Sequence, residues 1–404
     1  MSEYLSITNN KILSLFSKKI VLNILVVFST FFSLYISFLI TNNNFRDNIN
    51  YSTAYLIFES YISKNNKKYY LLNANNIKIN KNQVLSKYCL IPKKNILRED
   101  ANILLNDKYY LVSEKNCVKK DYLGVKNIHK KYYLSNTLSL KESYKNYFYA
   151  VGSYEVGDYI LNYIFSKFIS YDLYILLLNI FFLVTVYIAL KRFTKHYKII
   201  YTILLFTDFY FYVYLSELHR LKLSIIFFLI FMLVKNISRG IFLILGLISH
   251  LQSVVFYAYI IILGLYKDLL SRKIFYCVKK YLPYFVFLII IFILFQDQIF
   301  SKLNYYQKFE IPFKTIIFSG GYLSFLFYFK DKEVLPSFLP LSILVFIASF
   351  LVGENRLFFI LIEFVLIYEL NKVFNKNYTS LIIVIPIIVY NSYKSINYIM
   401  LGLS

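Results

Sequence analysis

Long apolar runs without Asp, Glu, Lys or Arg alternate along this chain with short basic clusters, and the charges fall between the runs rather than along one face of each. A bilayer core takes about 20 apolar helical residues to cross, and Ile20 to Ile40 is the first run of that length. Lys11, Lys18 and Lys19 precede it and predict a cytoplasmic N-terminus. The run is too long for a removable signal and lacks a small-residue cleavage site, so it predicts a retained anchor. Leu173 to Leu190 is the second span, and Lys191, Arg192, Lys195 and Lys198 behind it return the chain to the cytoplasm. Residues 42 to about 170 are then outside; they are rich in Lys, but long domains translocate regardless of charge.

Residues 199–234 amount to about 54 Å of helix, slightly less than two full crossings. They predict a tight hairpin whose tip, Ser216-Glu217-Leu218-His219-Arg220-Leu221-Lys222, sits at or slightly below the outer boundary. Residues 240–266 exceed one crossing and fall short of two, which predicts a re-entrant or short helical pair. A single crossing would place Lys267, Arg272, Lys273, Lys279 and Lys280 outside, against the charge rule. The remaining predicted spans are 281–296, 313–329, 335–352, 356–371 and 379–398, with Gly353-Glu354-Asn355-Arg356 an outer turn on the face of the Arg220 tip.

Composition adds weight to this picture. Of 404 residues, 58% are hydrophobic and only 17% charged, against about a quarter charged in soluble domains, so the fold class expected is an all-α polytopic membrane protein. Lys and Arg outnumber Asp and Glu by 45 to 22. With no nucleic-acid-binding motif present, that excess suits membrane orientation and anionic partners, including membrane lipids, and no nucleic acid. An AT-rich coding sequence accounts for the Lys, Asn and Ile usage equally well. Three domains are expected: 1–41, a cytoplasmic segment and first transmembrane helix; 42–150, a small extracytoplasmic domain, mixed α/β or largely irregular; and 151–404, a multi-helix membrane domain. Cys89 and Cys117 fall in the outer domain, where a disulfide and two free thiols are both compatible with the sequence. No zinc spacing, phosphate-cradling Gly loop or Asp-x-Asp pair is present, so neither metal nor cofactor is expected.

Several polar residues are not explained by the membrane alone. Glu155 and Asp158 share a helical face at the start of an apolar segment suited to an interfacial helix, although acids at a helix N-terminus are common for dipole reasons. Glu217, His219, Arg220 and Lys222 occupy the hairpin tip, and His250 and Gln252 interrupt the 240–266 run. A lone His in an apolar run is more often a packing residue than a functional one; in a re-entrant element it would line an aqueous cavity. Arg356 opens a span that carries Glu363 about 10 Å deeper on the same face. Acids, cations and an imidazole on one side of the membrane suit an anionic lipid headgroup such as a diphosphate, which Arg binds with its forked guanidinium.

The order of these segments resembles the EpsG family of Wzy-like polysaccharide polymerases. The segments are Glu155, Gly157, Leu161 and Phe165; then His219-Arg220-Leu221-Lys222-Leu223-Ser224; then Ser249-His250-Leu251-Gln252-Ser253; then Asn355-Arg356-Leu357-Phe358-Phe359. They stand where the family has its E-P-G, I-R-Q-x-x-A, F-H-x-S-A and G-x-R-x-x-Y-F segments, over roughly residues 142–371. Val156 replaces the usual Pro, Leu221-Lys222 replaces the sequence after the Arg, and Leu251 interrupts the His segment. The family's Gly-x-Asp with Tyr corresponds either to Arg46-Asp47 with Tyr51 and Tyr55 or to Glu142 with Tyr144 and Tyr147.

The resemblance implies a GT-C-like membrane enzyme of about 9–11 transmembrane or re-entrant helices in a bacterial plasma membrane. It would polymerise polyprenyl-diphosphate-linked oligosaccharide repeat units on the outer face, for an exopolysaccharide, capsule or O-antigen. A chain-length regulator and a flippase are implied partners. Arg220 and Arg356 would stabilise the departing diphosphate without a metal, and His250 would accept the acceptor's hydroxyl proton, with Glu155 and Glu217 as rival bases. Asp158, Glu217, His219 and Lys222 would bind substrate. A flippase or transporter of lipid-linked sugars is the alternative, as is an O-antigen ligase or another polyprenyl-phosphate-dependent glycosyltransferase with Asp47 as base; the internal repeats usual in transporters are not evident.

Overall fold

The structure is a computed structural model. It describes residues 2–42, 84–85, 88–92, 103–106, 109–113, 132–133, 141, 144, 147, 156–216, 218–234, 238–250, 253–270, 282–283, 286, 289, 293, 296, 312–331, 334–352 and 357–403. The first apolar run lies inside one long helix, α1 (Ser2–Asn42). Next come short strands, β1 (Val84–Leu85), β2 (Tyr88–Pro92), β3 (Ile103–Asn106), β4 (Tyr109–Ser113) and β5 (Tyr132–Tyr133). Strand β4 contains the Tyr109-Tyr110-Leu111-Val112 patch and is the centre of an antiparallel sheet of order β2-β4-β3, with Cys89 opposite Val112. The described residues of 84–133 are strands, within the mixed α/β expectation for 42–150. Cys117 lies outside the described residues, and the disulfide expectation with it.

Helix α2 (Val156–Phe165) follows, and its pattern explains its position. Gly157, Asp158, Tyr159 and Asn162 are buried, while Ile160, Ile164 and Phe168 form an exposed apolar stripe. That is the two-faced helix expected at a membrane interface. Helix α3 (Tyr171–Phe193) is capped by Ser170 and ends on Lys191 and Arg192, cations placed favourably at a helix C-terminus. It is apolar all round: Leu176, Leu177, Ile180, Val184 and Ile188 point outward, and Asn179 and Thr185 point inward. Buried polar groups beneath an exposed shell of Leu, Ile and Phe identify lipid as the surrounding solvent.

The predicted hairpin at 199–234 comes out as three helices, α4 (Tyr197–Thr207), α5 (Phe209–Ser216) and α6 (His219–Leu233). Helices α4 and α5 meet at 74°. Asp208 makes the break: its amide N–H still donates to the Leu204 carbonyl at 2.9 Å, while its Oδ1 accepts the Tyr210 amide at 2.9 Å and caps α5. Within the predicted tip, His219 and Lys222 lie in the first turn of α6 and are buried.

The 240–266 run forms a helical pair, α7 (Ser238–Ser249) and α8 (Ser253–Leu270), that turns at His250. The Tyr257 hydroxyl donates to the Phe242 carbonyl at 2.9 Å and Ser253 Oγ to the Gly246 carbonyl at 3.0 Å, which closes the pair tightly. Four helices complete the order: α9 (Phe313–Tyr328), α10 (Leu335–Val352), α11 (Phe358–Phe374) and α12 (Leu381–Leu403). Their bounds follow the predicted spans within a few residues. The described residues of 281–296 are helical, and Leu282, Val286, Ile289 and Ile293 form one exposed apolar stripe.

Among the described residues three helices are long and apolar enough to cross a membrane, at Lys19–Ile40, Tyr171–Phe193 and Tyr378–Met400, and the bent α4–α5 pair makes a fourth if it is one span. Helices α1, α3, α4, α5, α6, α11 and α12 pack around a common core of buried apolar and aromatic residues, with α7 against α6 and α2 against α7.

Candidate active site at one end of the bundle

Four segments singled out in the sequence belong to helices α2, α6, α7 and α11. Gly157 of α2 lies directly on Ser249, the last residue of α7: a Cβ at position 157 would stand 2.8 Å from Ser249 Oγ and 3.0 Å from both its Cα and its N. Only a residue without a Cβ lets the helices approach this closely, which gives the Glu-x-Gly spacing a physical meaning. Gly157→Ala is expected to push α2 off α7 and cost about 1–3 kcal/mol, as overpacking typically does. Ser249→Ala in the same chain is expected not to restore it, because the backbone of residue 249 is as close as its side chain. Thermal unfolding of the detergent-solubilised variants checks both, and a wild-type melt for Gly157→Ala would refute the contact.

Asp158, the next residue, is fully buried. Its Oδ2 accepts the Tyr147 hydroxyl at 2.6 Å and the Asn162 side-chain amide at 2.9 Å. Tyr147 belongs to a cluster of rings with Tyr144 and Tyr159 at centroid distances of 5.1–6.5 Å. Tyr163 extends it, with the Lys167 ammonium 4.6 Å above its ring. Burial pulls the Lys167 ammonium below the ordinary lysine range.

Lys222, also fully buried, is within Coulombic reach of Asp158. Its ammonium donates to the Asn179 Oδ1 of α3 and to the Leu215 carbonyl of α5, the latter at 3.2 Å. Asn179 passes the connection to Ser37 of α1 at 3.3 Å. One lysine thereby ties α1, α3, α5 and α6 together at a single level, near the end where α1 leaves the bundle and α3 enters it. His219, 1% exposed, lies against the Tyr171 ring at 6.3 Å. Arg220, between these two buried residues, is partly exposed.

His250 stands at the turn of the α7–α8 pair and is 9% exposed. Its carbonyl accepts both the amide and the hydroxyl of Ser253, at 3.0 and 2.7 Å, and its own amide donates to Gly246. The α2–α7 contact brings it to the same end as Asp158. Glu155, Glu217 and Arg356 lie outside the described residues. Leu357, which follows Arg356, is buried, and Phe359 of α11 meets Tyr210 and Tyr214 of α5 at 5.4 and 5.5 Å.

The structure thus brings Asp158, His219, Lys222 and the Ser249-His250 turn together. Asn162, Asn179 and Ser37 escaped the sequence reading; Asn179 carried the available signal, as an amide in the middle of an apolar span. Charges at the opposite end pair locally, Lys372 with Asp331 and Glu369, and Tyr322 with Glu369.

No family model, curated protein or solved structure matches this chain.

Proposed function

We propose that this is a membrane glycosyltransferase that polymerises polyprenyl-diphosphate-linked oligosaccharide repeat units at the outer face of a bacterial plasma membrane. The observation that carries the reading is the meeting of the acidic start of α2, the cationic start of α6 and the His250 turn at one end of a lipid-embedded bundle. In the full reading the chain makes about 9–11 crossings or re-entrant passes, with its N-terminus cytoplasmic.

In the reaction the acceptor hydroxyl oxygen attacks the donor's anomeric carbon. The bond from that carbon to the phosphate oxygen breaks, and its electron pair leaves with the polyprenyl diphosphate. The hydroxyl proton goes to a base, for which the His250 imidazole is the candidate and Glu155 and Glu217 are the rivals. Arg220 and Arg356 stabilise the charge developing on the diphosphate. Lys222, committed to Asn179 and Leu215 inside the bundle, positions α6 rather than contacting substrate. The ring cluster around Tyr144 and Tyr163 offers apolar faces for sugar rings beside the polar groups.

One observation favours the transporter alternative: the helix broken at a buried acid, a feature of carriers. Purified protein reconstituted with a lipid-linked repeat unit separates the two. A glycan ladder with release of polyprenyl diphosphate is the expected product; movement of the lipid-linked unit across the bilayer without glycan growth would overturn the polymerase reading.

A further inference from the structure

The break between α4 and α5 lies away from the site above, and that function does not use it. Asp208 is fully buried there, and only one of its carboxylate oxygens is occupied by capping α5. The other, Oδ2, has no hydrogen-bond partner among the described residues. On α11, Glu363 lies one turn beyond Phe359, the ring that touches Tyr210 and Tyr214, so the two share a face. Asp208, Glu363, Tyr210 and Tyr214 are within Coulombic reach of one another; the Tyr214 hydroxyl hydrogen-bonds the Glu363 carboxylate, whose Oε1 is left without a partner among the described residues.

A third and independent group is neutral. Asn391 of α12 is fully buried, and neither atom of its amide has a partner among the described residues. Ser395, one turn on along the same face, donates to the Thr207 carbonyl at 3.3 Å, so this face of α12 is turned to the α4–α5 break. Asp208 is eleven residues past Tyr197, Glu363 eleven residues before Phe374, and Asn391 ten residues past Leu381, so each lies well inside its helix or bent helix pair, with Asn391 one turn before the Ser395 that meets the break.

We infer that Asp208 Oδ2, Glu363 Oε1 and Asn391 Oδ1 form a buried oxygen site for a monovalent cation of sodium's size. Asp208, fully buried, and Glu363, half-buried, have no cation paired with them among the described residues, an arrangement that favours a bound positive ion. The described ammonium nearest in sequence on α12, that of Lys394, is spent over the Phe209 and Tyr390 rings. The C-terminal end of α4 points its partial negative charge into the break and adds to the attraction for a cation. An unpartnered amide has no place in a site that only stores protons, but its oxygen completes a shell of hard ligands for an alkali ion. One ion and one proton together neutralise the two acids, so each cation that enters displaces a proton to water. Tyr210, Tyr214, Tyr390 and Lys394 are the other titratable groups around the site.

Binding of radioactive sodium to the purified full-length chain in detergent tests this, with proton release followed in weakly buffered solution. Saturable binding of one ion per chain, weakened by low pH and accompanied by release of a proton, is expected. Asp208→Asn and Glu363→Gln are each expected to weaken it by about tenfold or more, equivalent to about 1.4 kcal/mol. Asn391→Leu, which alters no charge, is expected to weaken it as well. Because neutralising a buried acid removes an unfavourable charge, the Asn and Gln variants should fold, and a sodium-dependent rise in melting temperature should be present in the wild type and absent from both. Sodium binding that is undetectable in folded wild-type protein, or unchanged in both acid variants, overturns the site; titration of the acids with no sodium dependence does the same and leaves a protonated pair.

Discussion

Lys222→Met is expected to remove most of the stability of the folded bundle, although methionine fills nearly the same volume. Two effects compete in size. Hydrogen bonds between membrane helices contribute about 0.6–2 kcal/mol each, and Lys222 makes one to Asn179 and one to Leu215. Removing one partner of a buried charge pair costs about 3–5 kcal/mol, because the other charge stays buried alone. Asp158 is that other charge, fully buried and held by Tyr147 and Asn162. The charge term is the larger, so Lys222→Gln, which keeps a donor, should fare little better than Lys222→Met. Adding Asp158→Asn to Lys222→Met should then recover a good part of the loss. Thermal unfolding of the three variants in detergent measures the cycle. A melting temperature for Lys222→Met equal to that of the wild type would show that the pair contributes nothing, and additive effects in the double variant would show that the two residues are not coupled.

The same pair shows how far the sequence could be followed. The helices at 313–329, 335–352 and 379–398 were legible because each is a long apolar run between charged or polar breaks, so length alone marks them. The pairing of two short helices over 240–266 followed from length and from the basic cluster after it, while the place of the turn, at His250, came from the structure. The break at Asp208 did not, because a single acid in an apolar run looks the same whether it caps a new helix or lies inside a continuous one. Only the Tyr210 amide reaching its carboxylate distinguishes the two. The burial of His219 and Lys222 was not legible, because Asn179, Ser37 and the Leu215 carbonyl supply polar partners for Lys222 from sequence-distant helices that no local window contains. The helix over Val156–Phe165 was legible as amphipathic from its pattern, but the need for glycine at 157 depends on Ser249, ninety-two residues further along.

Arg220→Ala and Arg356→Ala are each expected to abolish glycan polymerisation while leaving membrane insertion and abundance intact. Arg220 is the cation in the first turn of α6 that stays partly exposed, flanked by His219 and Lys222, which the bundle buries. It stands in the first turn of α6, at the end of the bundle where Asp158 and the His250 turn meet. Arg356 immediately precedes the buried Leu357 and the start of α11, whose Phe359 packs on α5. Removing one preorganised charge from a developing anion typically lowers turnover by about 10²–10³, enough to erase a ladder of repeat units. Lys at either position is expected to rescue poorly, since a point charge does not reproduce the two-pronged contact of guanidinium with phosphate oxygens. His250→Ala distinguishes the base from a packing residue: loss of the ladder at normal abundance fits proton transfer, and loss of the protein itself fits packing. The assay is surface glycan from cells lacking the native gene, complemented with each variant at matched expression. Single-unit glycan from the Arg variants is the expected result, because export and capping of one unit continue without a polymerase. A normal ladder from either variant would remove that arginine from the diphosphate site, and complete loss of surface glycan from both would favour the flippase or ligase over the polymerase.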